Sequence, residues 1–289
     1  MMNAIKLQGV TKLYPNGKGI HDVSFTVEKG KIFGFLGPNG AGKTTAIRTM
    51  MDFMKPSAGT ITIHGLDSHA DSVKLKQIIG YLPADRQLYP SWSGEEHVDL
   101  YAKLRKVSPH NDIAKRLHLD LTQKVSQLST GNKQKLALAL ALVGSPKLLV
   151  MDEPTIGLDP IFQQEIYEIL QEYRHTGGTI LLSSHNLPEV EKICDSVGII
   201  KEGRMVAVES MQSIRDMSIH IVSIISKGIL PIELAGLSNV DVTHINKNHV
   251  ILKVRGDLNP LLKFVGRHVV LDIEITHANL EDIFLEFYR

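Results

Sequence analysis

The run Gly37-Pro38-Asn39-Gly40-Ala41-Gly42-Lys43-Thr44-Thr45 contains the pattern G-x-x-x-x-G-K-[ST] in full. Glycines at this spacing let successive backbone N–H groups point into one concavity, and a helix N-terminus behind them adds its positive dipole end. That makes a cradle for phosphate, in which Lys43 brings a point charge to the β- and γ-phosphates and the Thr44 hydroxyl ligates Mg²⁺. A second chemical group is Asp152-Glu153, which closes the apolar run 148–151. A short apolar strand ending in Asp delivers its carboxylate to the carboxyl edge of a parallel sheet, where α/β proteins bind ligands. Downstream of a phosphate loop, Asp152 fits the acid that holds Mg²⁺. Glu153, one position on, faces differently; it can orient or deprotonate an attacking water, or be a surface acid in a turn. His185 follows the run 179–184 and is carried to the same edge, within reach of a γ-phosphate or as an ordinary loop histidine.

Two further stretches are weaker on their own. Leu128-Ser129-Thr130-Gly131-Asn132 precedes a run, 133–143, dense in Leu and Ala, so Ser129 or Thr130 is a natural helix N-cap. An exposed helix N-terminus with hydroxyls and a glycine is a second anion site, although many helices begin with Ser for capping alone. Tyr14, in the turn before Pro15-Asn16-Gly17, is either a half-buried loop-tip aromatic or a surface on which adenine stacks.

The elements that must position these residues are legible in hydropathy. Residues 32–36 read as a buried strand and 45–54 as a helix, giving the strand, glycine loop and helix that a phosphate cradle requires. Residues 4–10, 20–27 and 60–64 alternate or are β-branched, which suggests an antiparallel sheet near the loop. A strand is expected at 78–82, a mostly helical lobe from 84 to 143, helices at 163–173 and 188–194, and strands at 197–200 and 204–208. At 289 residues and 43% hydrophobic, the chain can bury one large core and a smaller one. A net charge of +1 leaves no electrostatic footprint for nucleic acid or an anionic membrane surface. The opening residues lack the apolar stretch of a signal peptide, and no run approaches the ~18 residues of a spanning helix. A cytoplasmic location is therefore expected. Cys194 is the single cysteine, so no internal disulfide forms, and its helical setting favours an inert packing thiol.

With 37–45, 128–132, 149–153, Asp159 and His185 in this order and spacing, residues 1 to about 210 closely resemble the nucleotide-binding subunit of ATP-binding cassette (ABC) transporters. The resemblance implies a P-loop NTPase fold with a parallel core sheet, an antiparallel β subdomain and a helical subdomain, and it implies ATP with Mg²⁺. By it, Tyr14 is the adenine-stacking aromatic, Ser129 and Gly131 form the signature, Asp159 lies in the dimer-crossing loop and His185 is the switch histidine. Glu153, His185 and Lys43 carry the catalytic roles, and Thr44 and Asp152 the metal. Two such domains pair head to tail, as a homodimer or with a similar subunit, so that the loop of one faces the Ser129 helix of the other across ATP. A membrane permease, here necessarily another polypeptide, converts closure and opening into transport and keeps the subunit on the cytoplasmic face of the membrane. Three positions depart from the family pattern: Ala84 stands where Gln or Glu is usual, with Asp85 beside it as a substitute, Thr130 where Gly is usual, and Asn132 where Gln is usual.

Beyond residue 215 the motifs stop. Strands at 218–226, 240–245, 250–254 and 269–275 with helices after Pro231 and at 258–265 give β-α-β-β-α-β, a small ferredoxin-like α+β domain at 216–289. A terminal helix at 279–288 would present Leu280, Ile283, Phe284 and Phe287 on one face. Such an accessory domain is similar to those on subunits serving drug, antibiotic or lipid exporters. The alternative class, a soluble ATP-driven regulatory switch without transport, usually carries two cassettes or a long coiled-coil insertion; neither is visible.

Overall fold

The computed structural model describes residues 2–109, 112–216, 219–227, 234, 237, 239–246 and 248–277. Chain contacts divide it into two compact units, Met1–Glu209 and Ser210–Arg289, a division six residues ahead of the boundary expected from the motifs.

In the first unit, β1 (Asn3–Leu13) pairs antiparallel with β2 (Gly19–Glu28) and β4 (Ala58–Ile63), and β5 (Leu66–Asp67) extends the sheet in the order β2-β1-β4-β5. Alternating burial along β2, with Ile20, Val23, Phe25 and Val27 inward, is what a sheet with one covered face demands. The six-stranded sheet runs β10-β9-β3-β8-β7-β6, from β3 (Ile32–Leu36), β6 (Ile79–Leu82), β7 (Leu148–Asp152), β8 (Thr179–Ser184), β9 (Ser196–Lys201) and β10 (Arg204–Ser210). The pairs β9/β3, β3/β8, β8/β7 and β7/β6 are parallel. β3, β7 and β8 are buried at every residue, which is why they read as continuous apolar runs rather than alternating ones.

Among the described residues of this unit, seven α-helices join the strands: α1 (Lys43–Met50), α2 (Ser72–Ile78), α3 (Gly94–Arg105), α4 (Asp112–Arg116), α5 (Thr130–Leu142), α6 (Pro160–His175) and α7 (Leu187–Ile193). α1 stops four residues short of the expected 54, because Asp52 takes a left-handed φ of 57° and turns the chain. α2 was not foreseen, and the segment 84–143 is less helical than its composition suggests: residues 83–93 and 117–124 are turns and loops around α3 and α4. The helical lobe has its own core, with Val98, Leu119, Leu121, Leu136 and Leu140 buried. Arg105 ties that lobe to the sheet. Its half-buried guanidinium donates to Ala141 O (3.0 Å) and Val143 O, carbonyls at the end of α5 that have no helical partner, and to Ile79 O (3.2 Å) of β6. Cys194 is buried behind β3, and burial pushes its thiol well above the ordinary value, as an inert packing residue requires.

The second unit holds α8 (Met211–Asp216), β11 (Ile219–Lys227), β12 (Val240–Asn246), β13 (His249–Arg255), α9 (Asn259–Val265) and β14 (Val269–His277). Its antiparallel sheet is ordered β12-β13-β11-β14, the arrangement a split β-α-β repeat produces. The helix expected after Pro231 falls mostly, and the terminal helix at 279–288 wholly, outside the described residues. Among the described residues, no helix is long and apolar enough to cross a membrane.

Candidate functional site

The order β3-β8-β7 within the parallel sheet brings three carboxyl ends side by side: the loop 37–42 after β3, His185 after β8 and Asp152-Glu153 at the end of β7. Residues more than a hundred positions apart in sequence therefore share one edge, where ligands of open α/β sheets bind.

Two glycines fix the loop. Gly42, at φ 109°, sits at the N-terminus of α1 with no side chain capping the helix, so its first N–H groups are left for a ligand. A Cβ on Gly37 would lie 2.5 Å from Ile200 O, so no larger residue fits between the loop and β9. Lys43 is 6% exposed and curls back along the loop: Nζ donates to Gly37 O at 2.5 Å and Pro38 O at 3.3 Å, and pairs with Glu153 Oε1 at 3.3 Å. Pro38, Asn39 and Gly40 are exposed at the rim, Ala41 is buried beneath it, and Thr45 follows Thr44 in the first turn of α1.

Thr44 Oγ1 donates to Asp152 Oδ2 at 2.8 Å, and the Ser183 hydroxyl donates to Oδ1 of the same carboxylate. Asp152 is 1% exposed and forms no ion pair among the described residues. A buried carboxylate and a hydroxyl, both hard oxygen donors at the foot of a phosphate loop, are the set Mg²⁺ takes alongside phosphate and water. The residues present fit the metal.

Glu153 adopts a left-handed φ of 55°, a conformation that costs a non-glycine residue about 1–3 kcal/mol and clusters at active sites. Its N–H is held by Ser183 O and Ser183 Oγ, each at 3.2 Å. The carboxylate is thereby turned between the Lys43 ammonium, 3.3 Å from Oε1, and the His185 imidazole, whose Nδ1 lies 2.8 Å from Oε2. His185 keeps 47% of its side chain exposed, so its other ring nitrogen is free to meet a ligand. Behind this pair lies Glu189, 3% exposed, whose carboxylate accepts from Thr155 Oγ1 (2.8 Å) and Ser184 Oγ (2.6 Å). Burial raises its pKa above the carboxylate norm, and the two hydroxyl donors offset part of that rise. Sequence reading missed Ser183, Ser184, Thr155 and Glu189; the only signal was a pair of hydroxyls closing an otherwise apolar strand.

Tyr14 lies beside the loop, its hydroxyl 3.5 Å from both Thr45 Oγ1 and Met54 Sδ. Other expected site residues are not brought to this cluster. Ser129 caps α5, its Oγ accepting from Asn132 N at 3.1 Å, and Gly131 stands open beside Leu158. Asp159 caps α6, accepting from Ile161 N and Phe162 N at 3.1 Å each. No hydrogen bond or ion pair among the described residues joins Ser129, Gly131 or Asp159 to the loop at 37–45. α5 is nevertheless tied to the segment that follows the acid strand, where Gln134 Nε2 donates to Pro154 O, and to α6, where Lys135 Nζ lies 3.1 Å from the centre of the Phe162 ring. Ala84 is exposed, and Asp85 beside it lines a separate cavity with Arg86 rather than touching Thr44 or Asp152.

The cluster can therefore bind a nucleotide's phosphates, hold a divalent cation and direct a water. Known proteins agree with that chemistry. The family described as ABC transporter matches residues 20–156. The linearmycin resistance ATP-binding protein LnrL of Bacillus subtilis is 30% identical over 97% of this chain and 97% of its own length. The Nod factor export ATP-binding protein I of Mesorhizobium japonicum is 33% identical over 98% of this chain and 86% of its own. Among solved structures, an ATP-binding subunit of an ABC transporter superimposes with a TM-score of 0.69 at 30% identity, covering 74% of this chain and 92% of that one.

Proposed function

This chain belongs to the ABC transporter family as an ATP-binding, ATP-hydrolysing subunit, and from that premise we propose that it powers export of a small molecule through a membrane permease carried on a separate chain. The observation that carries the hydrolytic part is the placement of Glu153 between Lys43 and His185. Names of relatives, one in linearmycin resistance and one in Nod factor export, support the direction of transport.

In this reading the phosphates of ATP lie along Gly37, Pro38, Asn39, Gly40, Ala41, Gly42, Thr44 and Thr45, with adenine against Tyr14. Lys43 turns from Glu153 to the γ-phosphate, which attracts it more strongly than one carboxylate does. Thr44 and Asp152 would hold Mg²⁺, which neutralises charge on the transferred phosphoryl group. Glu153, released from Lys43, orients the attacking water and accepts its proton. His185 keeps Glu153 in place through Nδ1 and offers its exposed nitrogen to the γ-phosphate. The Ser129 helix and the Asp159 loop act on the ATP of a second protomer, so that two chains close head to tail around two nucleotides.

The cavity of about 500 Å³ between the sheet and the helical lobe is the surface this reading assigns to the permease. Arg48, Lys76, Arg86 and Arg105 line it against the lone lining acid Asp85, and Phe53 lines it beneath Lys76 Nζ, 5.6 Å from its ring centre. A cytoplasmic segment of the permease with an acidic side chain suits that lining, and the loop that carries Ala84 forms its wall. The subunit then sits on the cytoplasmic face of the membrane.

Glu153→Gln tests the mechanism. Turnover is expected to fall by at least about 100-fold while ATP binding persists, and gel filtration with ATP should give a dimer. Unchanged turnover removes Glu153 from the mechanism; a monomer with bound ATP removes the paired arrangement for the isolated subunit. Co-purification with a multi-helix membrane protein supports transport, whereas association with ribosomes and no membrane fraction points to the soluble switch.

A further inference from the structure

β7 and β8 run parallel in register only as far as Asp152 opposite Ser183, with one more bond from Glu153 N to Ser183 O. Past that point the two chains diverge, one through Glu153, Pro154 and Thr155, the other through Ser184, His185 and Asn186. No backbone hydrogen bond between these two continuations is present beyond it among the described residues. Yet Glu153 and His185 stand on these unladdered ends, and their carboxylate and imidazole meet at 2.8 Å. Something else has to set the spacing of the two ends.

Glu189 is placed to do so. It lies in the first turn of α7, four residues beyond His185, and it accepts one hydroxyl from each end: Thr155, two residues after Glu153, on Oε1, and Ser184, one residue before His185, on Oε2. Thr155, Ser184 and Glu189 are all buried, at 5%, 0% and 3% exposure. Ser184 Oγ also accepts from Asn186 N at 2.9 Å, which fixes the turn that carries His185. A carboxylate is the side chain that can accept two donors on opposite oxygens at once. The partners are neutral hydroxyls rather than a cation, so the burial of this acid is not explained by an ion pair.

We propose that Glu189 is a positioning residue for ATP hydrolysis: its buried carboxylate clamps Thr155 to Ser184 and so holds Glu153 and His185 in register over the γ-phosphate. It touches neither nucleotide nor water. The proposal rests on the roles assigned above to Glu153 and His185.

The test uses the full chain, with steady-state ATP hydrolysis and separate measurement of ATP binding. Glu189→Ala removes both acceptors, and a displacement of the order of 1 Å at the reacting centre should lower kcat by about 10- to 100-fold with KM and ATP affinity changed less than about threefold. Glu189→Gln keeps the shape and can bond both amphiprotic hydroxyls, so it should recover kcat to within about threefold of the parent. Thr155→Val, nearly isosteric, should give a partial loss that adds little in the Glu189→Ala background, as residues in one network do. Parental kcat in Glu189→Ala, equal loss of kcat and of ATP binding, or a Gln variant no better than Ala overturns the proposal. Should Glu189→Ala be recovered only unfolded, Thr155→Val and Glu189→Gln decide alone: parental kcat in Thr155→Val, or loss of ATP binding in step with kcat in either, overturns it. Glu153→Gln, run in parallel, separates the two levels: full turnover there removes the premise, whereas an inactive Glu153→Gln beside a fully active Glu189→Ala removes only the clamp.

Discussion

Two helices in this chain begin with glycine and hydroxyl residues at the surface, and they are finished in opposite ways. α1 starts at Gly42 with no side chain capping it, and around its first turn stand Lys43, Thr44, Asp152, Glu153 and His185. α5 starts at Ser129, whose own hydroxyl closes onto Asn132 N, and no ionised group from the cluster around α1 reaches it. One N-terminus is surrounded by the groups a phosphoryl-transfer site requires; the other has one of its first-turn N–H groups taken by its own cap. The difference teaches that an N-terminus open to anions is not by itself a catalytic site, because the surrounding acids and bases decide. In the head-to-tail pairing proposed above, one sequence would carry two anion-binding signals because the bare end takes its own ligand and the capped end meets the ligand of a second protomer.

Removing the charge from the open end has the largest expected effect. Lys43→Ala should weaken ATP binding and reduce turnover by at least about 100-fold, since in the proposed mechanism this buried cation turns to the transferring phosphate in a site of low dielectric. A variant that binds ATP at parental affinity would equate the two helix ends. The next effect concerns α5. If Ser129 only caps, Ser129→Ala costs about 1 kcal/mol, a few degrees of melting temperature, and turnover survives. If it also meets the ATP of a second protomer, turnover falls about 10- to 100-fold, the worth of a hydrogen bond to a charged group. Mixing Lys43→Ala with Ser129→Ala then restores up to about a quarter of parental activity, because half of the dimers carry one intact composite site. No recovery on mixing would break the head-to-tail assignment.

Most of the open end was legible in the sequence because its signals are local. A glycine loop between strand and helix, and an acid closing an apolar strand, are each read within a few residues, and burial of β3, β7 and β8 makes their apolar runs unambiguous. What could not be read is set by strand order. Only the placement of β8 between β3 and β7 puts His185 against Glu153 and Ser183 under Asp152. Nothing local in Pro188-Glu189-Val190 marks a buried acid, since Glu at the start of a helix is what a surface would also carry. The left-handed turn at Glu153 was equally hidden, because the sequence there offers no glycine. The helical lobe was over-read for a related reason: polar loops such as 83–93 are held by side-chain bonds such as Tyr89 N to His97 Nε2, which composition does not reveal.

A smaller effect tests whether the open end is complete. Ala84 has no polar side chain to offer, and Asp85 turns to the cavity with Arg86. Ala84→Gln should raise basal hydrolysis about two- to fivefold by adding one polar contact to the metal or the water, the increment of roughly a neutral hydrogen bond. Unchanged or lower turnover would mean that the set around α1 lacks nothing at this loop.

The smallest expected effect is on stability rather than rate, and it distinguishes the two ends by their response to pH. Burial raises the ionisation point of Glu189 above the ordinary value of 4.5, so the folded chain holds a proton there that the unfolded chain has already released. The favourable contribution of the protonated form is complete below 4.5 and is lost as pH rises through the higher folded value. At neutral pH the ionised form carries a desolvation penalty that the hydroxyls of Thr155 and Ser184 only partly offset. Glu189→Gln does not ionise and escapes that penalty. Thermal melts should therefore show the melting temperature of Glu189→Gln rising relative to the parent as pH is taken from 4 towards neutrality. Ser129→Ala, at a cap whose hydroxyl does not titrate, should stay below the parent by a constant interval over the same range. A pH-independent interval for Glu189→Gln would mean that the clamp behind the open end stays neutral, and that it bears on Glu153 and His185 through hydrogen bonds without charge.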